Sequence, residues 1–388
     1  MKKIIFAVLL AIVMTITINV NNASALVDPL KNQNNKFGIH ILFPSEIDDA
    51  SRLVNSTGGD WGYITIPIQA GDRDLEKWQK FMDKAASLHL IPIIRLATAG
   101  DYFQTKFWQK PTNEDIVDFA NFLNSLDWPT KNRYIVVFNE PNRNDEWGGS
   151  SNPQEYAQIL DFSVTAFKSR NPDFFIISAG LDNAAADSKD SMNEYTFLRK
   201  MADENPNIFS TIDGFASHAY PNPGFSQSPK SNSLTSVASF RHERNLIYDL
   251  SGRILPIFIT ETGWSKNKIS SKTSASFYKE AFGNVWLDDG IVAVTPFLFS
   301  AQTEPFSQFS FLDKNNNPNE EYKSFQQIPK EKGQPILSEK LLALSIQNPK
   351  EENLTKKRFS HEDVNNAPTI YASELNIIKS FMKWLFRN

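Results

Sequence analysis

Two glutamates in this sequence stand where apolar runs end, and that placement suggests chemistry. Glu140 follows the apolar run at 135–138 and precedes Pro141, while Glu261 follows the apolar run at 257–259 and precedes a turn at Thr262 and Gly263. A buried carboxylate is costly unless it is paired or used. Two opposed carboxyl groups suit the cleavage of an acetal, because one protonates the leaving oxygen and the other handles the positive charge at the anomeric carbon. For either glutamate alone, the competing interpretation is a salt bridge at the rim of the fold.

The elements that must position these residues alternate between strand and helix patterns. Amphipathic stretches with apolar residues three and four apart separate the apolar runs. This repeat predicts an α/β fold, a (β/α)8 TIM barrel with a C-terminal extension. An open doubly wound sheet is the alternative, but no Gly-rich phosphate turn follows the first strand. The predicted strands are residues 36–43, 61–68, 91–98, 133–140, 174–181, 212–220, 256–264 and 291–299.

In such a barrel the fourth and seventh strands face each other across the mouth formed by the C-terminal ends of the strands. Glu140 ends the predicted fourth strand and Glu261 lies near the end of the seventh. We therefore expect the two carboxyl groups to converge inside the mouth. Acetal cleavage by such a pair needs no cofactor and no metal, so none is predicted.

The motifs around the pair resemble those of a known superfamily. "FNEPN" and "ITETGW" are similar to the acid/base and nucleophile motifs of the clan A retaining glycoside hydrolases, which include families 5 and 39, and the similarity spans residues 37 to about 327. The resemblance implies that Glu140 is the general acid/base, that Asn139 holds the 2-hydroxyl of the substrate and that Glu261 is the nucleophile. It also implies a carbohydrate substrate, with a β linkage expected.

Further residues fit that pattern. "SHAYP" at the end of the sixth strand places His218 and Tyr220 where clan members often have a substrate-binding His and a Tyr that supports the nucleophile. Arg95 closes the apolar part of the third strand and could bond to Glu261 and keep it ionised, although many relatives supply such an Arg from strand two. A lone His is usually a satisfied structural residue, which is the competing interpretation of His218.

The eighth strand departs from the family pattern, because "TPFLFSAQTEP" lacks the Trp that commonly floors the sugar subsite. Phe297, Phe299 or Gln302 are the candidates to replace it. Trp264 and Trp147 are predicted sugar platforms, since a flat ring packs against the apolar C–H face of a pyranose. Simple packing in the core is the alternative for both.

Composition argues against several classes of protein and kinds of site. The formal net charge is −4, which gives no basic footprint for nucleic acid, so no nucleic-acid partner is expected. There is no Cys, so neither a disulfide framework nor a thiolate metal site can form. The five His residues lack the two-His helical spacing of a metal hydrolase.

The N-terminus has the layout of a secretory signal. Lys2 and Lys3 precede an apolar run that begins at Ile4, and Ala23 and Ala25 have the spacing of a cleavage site. Residues 1–25 are therefore predicted to be a signal peptide, and the protein is expected to be secreted or held at the cell surface. An uncleaved membrane anchor is the alternative, although the apolar run is short for a span of roughly 20 residues.

The rest of the chain divides into three predicted parts: a catalytic barrel at 36–329, a linker or loosely packed extension at 330–371, and an amphipathic helix at 372–388. That helix is expected either to dock on the barrel or to contact a membrane surface or a partner. The chain is expected to act as a monomer.

Besides a glycoside hydrolase, two hypotheses for the function stay open: a catalytically silent glycan-binding barrel of the cell surface, and a structural surface protein that interacts through its C-terminal segment.

Overall fold

Eight parallel strands form a closed sheet in the computed structural model, which describes residues 26–98, 107–302 and 306–347. The first five strands pair in chain order, as do the last three, and isolated bridges between Ile177 and Gly214 and between Phe37 and Val294 join these two parts into a ring. The predicted (β/α)8 barrel is confirmed. Its strands are β1 (Gly38–His40), β2 (Gly62–Gln69), β3 (Leu90–Ala97), β4 (Arg133–Val136), β5 (Phe174–Ile177), β6 (Phe215–His218), β7 (Ile257–Glu261) and β8 (Ile291–Val294).

Helices surround this ring and bury their apolar faces against it. Several begin at the side-chain caps that their sequences indicate, such as Asp74, Thr112 and Asn152, each of which accepts a hydrogen bond from the first turn. The helices are α1 (Ile47–Val54), α2 (Leu75–Ser87), α3 (Asn113–Asn124), α4 (Pro153–Arg170), α5 (Glu194–Glu204), α6 (Ile208–Thr211), α7 (Ser239–Ser251), α8 (Ser271–Glu280), α9 (Glu320–Gln327) and α10 (Glu339–Gln347). Short 3-10 turns at Pro44–Glu46 and Phe306–Gln308 and a π-helical turn at Ala281–Val285 complete them.

Most strands are shorter than their apolar runs, and the difference matters most at β4. The strand ends at Val136, although the run continues to Phe138. Phe138 and Glu140 have φ angles of 70° and 34°, in the left-handed region that a strand cannot use. Glu140 therefore lies in the loop after β4 and not on the strand itself, which corrects the expectation that the strand carries it.

The barrel floor, at the N-terminal ends of the strands, is covered by two segments. The N-terminal arm (residues 26–35) is held at Val27, whose N–H and C=O pair with the amide of Asn132 at 3.2 and 2.7 Å. The C-terminal strap (residues 328–341) adds backbone hydrogen bonds such as Lys131 N to Ile336 O at 2.8 Å. Leu26, Leu337 and Leu341 pack against the same floor cluster, so the arm and the strap close one end of the barrel together.

Lys330 fixes the start of the strap. Its side chain is buried, with 8 % of the residue exposed, and Nζ donates to the carbonyls of Phe325 and Ile328 at 2.8 and 2.9 Å. The same ammonium lies 4.7 Å from the ring centroid of Phe37. The strap is therefore attached both to the C-terminus of α9 and to the barrel.

The predicted division at residue 330 stays a prediction, as does the amphipathic helix at 372–388, which lies outside the described residues together with the predicted signal peptide at 1–25. Within the ranges that are described, no helix has the length and apolar content needed to span a membrane. The aspartate- and asparagine-rich turn before α9 is an Asx turn, in which Asp313 accepts from the N–H groups of Asn315 and Asn317.

Candidate active site

Glu140 is held at the barrel mouth by its backbone and by one imidazole. Its N–H donates to the Gly180 carbonyl at 3.1 Å, and its own carbonyl accepts from Arg143 N at 2.9 Å. These two bonds fix the unusual backbone of the loop. The carboxyl oxygen Oε1 lies 2.8 Å from His218 Nδ1, at the end of β6. The side chain therefore projects into the mouth, next to β6.

Glu261 is the last residue of β7 and lies opposite. Its Oε2 accepts from the Tyr220 hydroxyl at 3.0 Å, and its Oε1 accepts from Arg95 on β3. His40, at the end of β1, places Nε2 3.8 Å from the same Oε1. The carboxylate thus has a fixed orientation, because both of its oxygens are bound by buried donors.

Arg95 connects the two predicted motifs. The same Nη1 that contacts Glu261 donates to Asn139 Oδ1 at 2.7 Å. Since the amide oxygen is occupied by this bond, the Asn139 NH₂ group remains as the donor for a substrate hydroxyl. The structure therefore brings together Glu140, Glu261, Asn139, His218, Tyr220 and Arg95, six of the eight site residues that the sequence predicts.

His218 lies between the two glutamates. Besides its bond to Glu140, its Nδ1 is 3.9 Å from Glu261 Oε2, and its side chain has no exposed surface. His218 and Glu261 are register partners on neighbouring strands, so parallel pairing turns both side chains toward the same side of the sheet. One imidazole thereby couples the two carboxyl groups.

The two carboxyl groups differ in their protonation. Burial would raise the pKa of Glu261, but the charges of His218 and Arg95 and the hydrogen bond from Tyr220 outweigh it and lower the pKa to about 2. For Glu140 burial dominates and raises the pKa above its usual 4.5, against the opposing effect of His218. One glutamate is therefore kept ionised while the other is favoured to hold a proton.

The two histidines differ as well. Burial and the charge of Arg95 lower the pKa of His40 to about 3, so its imidazole is neutral at ordinary pH. Burial also opposes charge on His218, but the nearby Glu261 and Glu140 outweigh it and raise the pKa above 6.5. His218 can therefore carry positive charge between the two carboxyl groups, and His40 cannot.

A charged rim surrounds Glu140 on the solvent side. Arg143 Nε is 3.8 Å from Glu140 Oε2, and the guanidinium is held by Asp145 at 2.8 Å and Asp182 at 3.4 Å. Burial and the charge of Glu140 raise the pKa of nearby Glu146 to about 8. This rim places both a cation and further carboxyl groups close to the acid/base candidate.

Glu140, His218 and Glu261 each offer an atom that could bind a metal ion, and these three atoms lie within 4.8 Å of one another. Within the described ranges, this is the one group of three or more His, Asp or Glu residues with that geometry. That geometry could hold a metal ion. However, the Arg95 guanidinium on Glu261 already supplies positive charge at this point. The arrangement suits acid–base and nucleophilic chemistry by the two carboxyl groups themselves.

Trp264 and Trp147 do not lie where the sequence interpretation put them. Each is 1 % exposed. Trp264 packs edge-on against Tyr278 with ring centroids 4.9 Å apart, and its indole N–H donates to the Gln227 carbonyl. Trp147 packs edge-on against Tyr156 at 5.6 Å. Both rings fill the core behind the mouth and offer no face to a sugar, which corrects their assignment as platforms.

Among the three candidates to replace the missing Trp after β8, Phe297 lies nearest the site. Its ring meets the His40 ring edge-on with centroids 5.2 Å apart. Phe299 is buried toward Tyr322, and Gln302 bonds to Asn316 at 2.6 Å in the loops outside. A phenyl ring thus stands beside His40, three residues after the end of β8.

Sequence reasoning missed several contributors to the site. His40 ends β1 just as Glu261 ends β7, so the same signal, a polar residue closing an apolar strand, could have identified it. Arg143, Glu146 and Asp182 lie in loops, whose positions have no periodic signal.

A barrel with a convergent, electrostatically distinct glutamate pair at its mouth is the arrangement of a glycoside hydrolase. A family model described as the glycosyl hydrolase catalytic core matches residues 99–325, more than half of the 388 residues. The chain belongs to this family, and the predicted resemblance to glycoside hydrolases is confirmed. A search of the curated proteins found no match.

Several solved structures share this fold. The chain is similar to a family 39 glycoside hydrolase from Bacteroides cellulosilyticus WH2 (16 % identity, TM-score 0.54, covering 78 % of this chain and 64 % of that one). It is also similar to a glucosidase from Croceicoccus marinus (10 %, TM-score 0.57, 80 % and 70 %) and to an exo-β-1,4-mannosidase from Opitutaceae bacterium strain TAV5 (13 %, TM-score 0.52, 80 % and 62 %). The chain thus spans less than two thirds of the first and third of these proteins, and at such identities the likeness concerns the fold.

Proposed function

We propose that this protein is a retaining glycosidase, which cleaves β-linked O-glycosidic bonds in an oligo- or polysaccharide by double displacement. The observation that carries the proposal is the carboxyl pair. Oxygen atoms of Glu140 and Glu261 approach within 4.8 Å, close to the roughly 5 to 5.5 Å typical of retaining enzymes and below the roughly 6.5 to 9.5 Å that leaves room for an inverting water.

In the first step, an ionised Glu261 oxygen attacks the anomeric carbon. The bond between that carbon and the leaving-group oxygen breaks, and Glu140 gives its proton to that oxygen. In the second step, Glu140 takes a proton from water, the water oxygen attacks the anomeric carbon, and the bond to Glu261 breaks. The configuration is inverted twice and therefore retained.

The surrounding residues support this division of roles. Arg95 and Tyr220 orient Glu261 and keep it ionised, as a nucleophile needs, while burial favours the proton on Glu140. Asn139 offers its NH₂ group to the 2-hydroxyl, a contact that strengthens in the transition state.

Two experiments test the proposal. Wild-type protein is incubated with a panel of β-linked polysaccharides, reducing ends are measured, and the first-formed anomer is followed by NMR. Release of the β anomer from a β-linked substrate is expected. Release of the α anomer would show inversion, and no release from any substrate would favour a silent glycan-binding barrel.

The second experiment separates the roles with single variants assayed on dinitrophenyl glycosides. Glu140→Ala should keep activity in the first step, because this leaving group needs no acid, and azide should restore turnover to give a glycosyl azide of retained configuration. Glu261→Ala should be nearly inactive, with azide giving at most the inverted product. The exposed Glu320→Ala serves as the control and should match wild type. If the first two variants show the reverse behaviour, Glu261 is the general acid/base and Glu140 is the nucleophile.

Export is part of the proposal. We expect cleavage after Ala25, so that the mature chain begins at Leu26, which packs on the barrel floor. N-terminal sequencing of protein from the producing cell is the measurement. An intact Met1 in the membrane fraction would instead identify the segment as an anchor.

A further inference from the structure

Gly180 lies between the acid/base candidate and its histidine. It is buried in the loop that follows β5, three residues beyond Ile177. On one side its carbonyl accepts the N–H of Glu140 at 3.1 Å. On the other side its α-carbon faces the ring of His218. The residue thus touches both partners of the hydrogen bond between Glu140 and His218.

The space at this position is too small for any side chain. A Cβ on residue 180 would lie 2.1 Å from Cδ2 and 2.5 Å from Nε2 of His218. Ordinary carbon contacts are about 3.5 to 4 Å. The φ of Gly180 is outside the left-handed region, so its backbone conformation does not demand glycine. Close approach of the imidazole is what requires a glycine here.

His218 has no room to yield without cost. Its side chain has no exposed surface, and Nδ1 is committed to Glu140 at 2.8 Å. A shift that relieved contacts as short as 2.1 Å would have to exceed about 1 Å, which breaks a hydrogen bond of this length. Glu261 would keep Arg95 and Tyr220, which approach it from elsewhere.

We propose that Gly180 is a positioning residue, whose missing side chain lets His218 reach Glu140 while its carbonyl holds the Glu140 backbone. The inference rests on the proposed role of Glu140 as general acid/base. It assigns Gly180 mainly to one half of the reaction. The proton transfers by Glu140 depend on it directly, whereas the attack by Glu261, which keeps Arg95 and Tyr220, is affected less, through the His218 charge 3.9 Å away.

Gly180→Ala is the test, and Gly283→Ala is the matched control, because a Cβ at the exposed Gly283 meets nothing within 4 Å. With unactivated substrates, kcat/KM of Gly180→Ala should fall by about 10²-fold, the loss typical of a catalytic group displaced by 1 Å. With dinitrophenyl glycosides the first step should fall far less. Since His218 lowers the pKa of Glu140, the basic limb of the pH profile should move to higher pH.

A double-mutant cycle distinguishes positioning from general damage. If Gly180 acts through His218, Gly180→Ala should cost nothing further in a His218→Ala background, where the added methyl has space. If Gly180→Ala alone fails to fold but the double variant folds, that result would also support a steric conflict between the added methyl and His218. Equal losses in both backgrounds, or unfolding of both, would overturn the proposal in favour of a structural role.

A readout without catalysis separates this inference from the proposed function. The imidazole signals of His218 are followed by NMR over pH in wild type, Gly180→Ala and Gly283→Ala. We expect the titration of His218 to shift to lower pH in Gly180→Ala only, because contact with the Glu140 carboxylate is lost. An unchanged titration would refute the role of Gly180. An enzyme inactive on every glycoside, with this NMR shift present, would refute the role of Glu140 instead.

Discussion

Removing the guanidinium of Arg95 should change the pH at which the nucleophile becomes protonated. The Arg95 side chain contacts Glu261 Oε1 with only 11 % of it exposed, so solvent screens this pair weakly. A hydrogen bond to a charged group contributes about 1.5 to 3 kcal/mol. At 1.36 kcal/mol per pH unit, its loss in Arg95→Met should raise the pKa of Glu261 by about one to two pH units from its value of about 2. His218 remains in place, which keeps the change partial.

The assay is kcat/KM against pH on a dinitrophenyl glycoside, whose departure needs no acid, so that the acid limb reports the nucleophile. Wild type should show no acid limb above about pH 3, whereas Arg95→Met should show one at roughly pH 3 to 4. Arg95→Lys is the matched control, because it keeps the charge but not the planar fork that also holds Asn139. It should lower the plateau and leave the acid limb at low pH.

The shape of the profile decides the outcome, because Arg95→Met also releases Asn139 and so lowers activity at every pH. An Arg95→Met curve that is merely scaled down, with no acid limb, would refute the claim that Arg95 keeps Glu261 ionised. An acid limb of equal size in Arg95→Lys would show that geometry, and not charge, sets the pKa.

Three further predictions concern stability. Burial raises the pKa of Glu243 to about 7, above the 4.5 of an unfolded chain, so the contribution of its protonated form to stability is present below about pH 4.5 and is lost as pH rises through 7. Glu243→Gln should therefore raise the free energy of unfolding by up to about 3 kcal/mol at pH 8 but not at pH 4. An equal change at both pH values would contradict this. Lys330→Met leaves two buried carbonyls without their donor and should lower the free energy of unfolding in urea by about 1 to 3 kcal/mol. The control Lys332→Met, at an exposed position, should leave it unchanged. Equal effects of the two substitutions would show that the buried Lys330 side chain is dispensable. Trp147→Phe should lower the free energy of unfolding by about 1 to 3 kcal/mol, seen as a lower melting temperature, and leave KM unchanged. A raised KM at unchanged stability would restore the role of Trp147 as a sugar platform.

The barrel and its glutamate pair were predictable because both follow from one-dimensional patterns. Eight apolar runs separated by helical periodicity predict eight parallel strands, and the fold then brings Glu140 and Glu261 to one mouth. The end of β4 was not predictable in this way. Its apolar run continues through Phe138, but the chain turns into the left-handed region there, and hydrophobicity carries no signal for φ.

Other errors concern which side of an element a residue faces. An aromatic residue next to a catalytic motif is compatible with the mouth or with the core, and Trp147 and Trp264 both lie in the core. Gly180 was missed for a related reason. Its importance comes from the approach of His218, which is distant in sequence, and a buried glycine after a strand is otherwise common.

The arm and the strap have a practical consequence for handling the protein. Leu26 and Leu341 contact the same floor cluster, at the opposite end of the barrel from Glu140 and Glu261. A solid support, a fluorophore or a fused domain attached near either segment would therefore be separated from incoming glycan by the full depth of the barrel. Immobilisation through this face should leave even a bulky polymeric substrate free to reach the carboxyl pair.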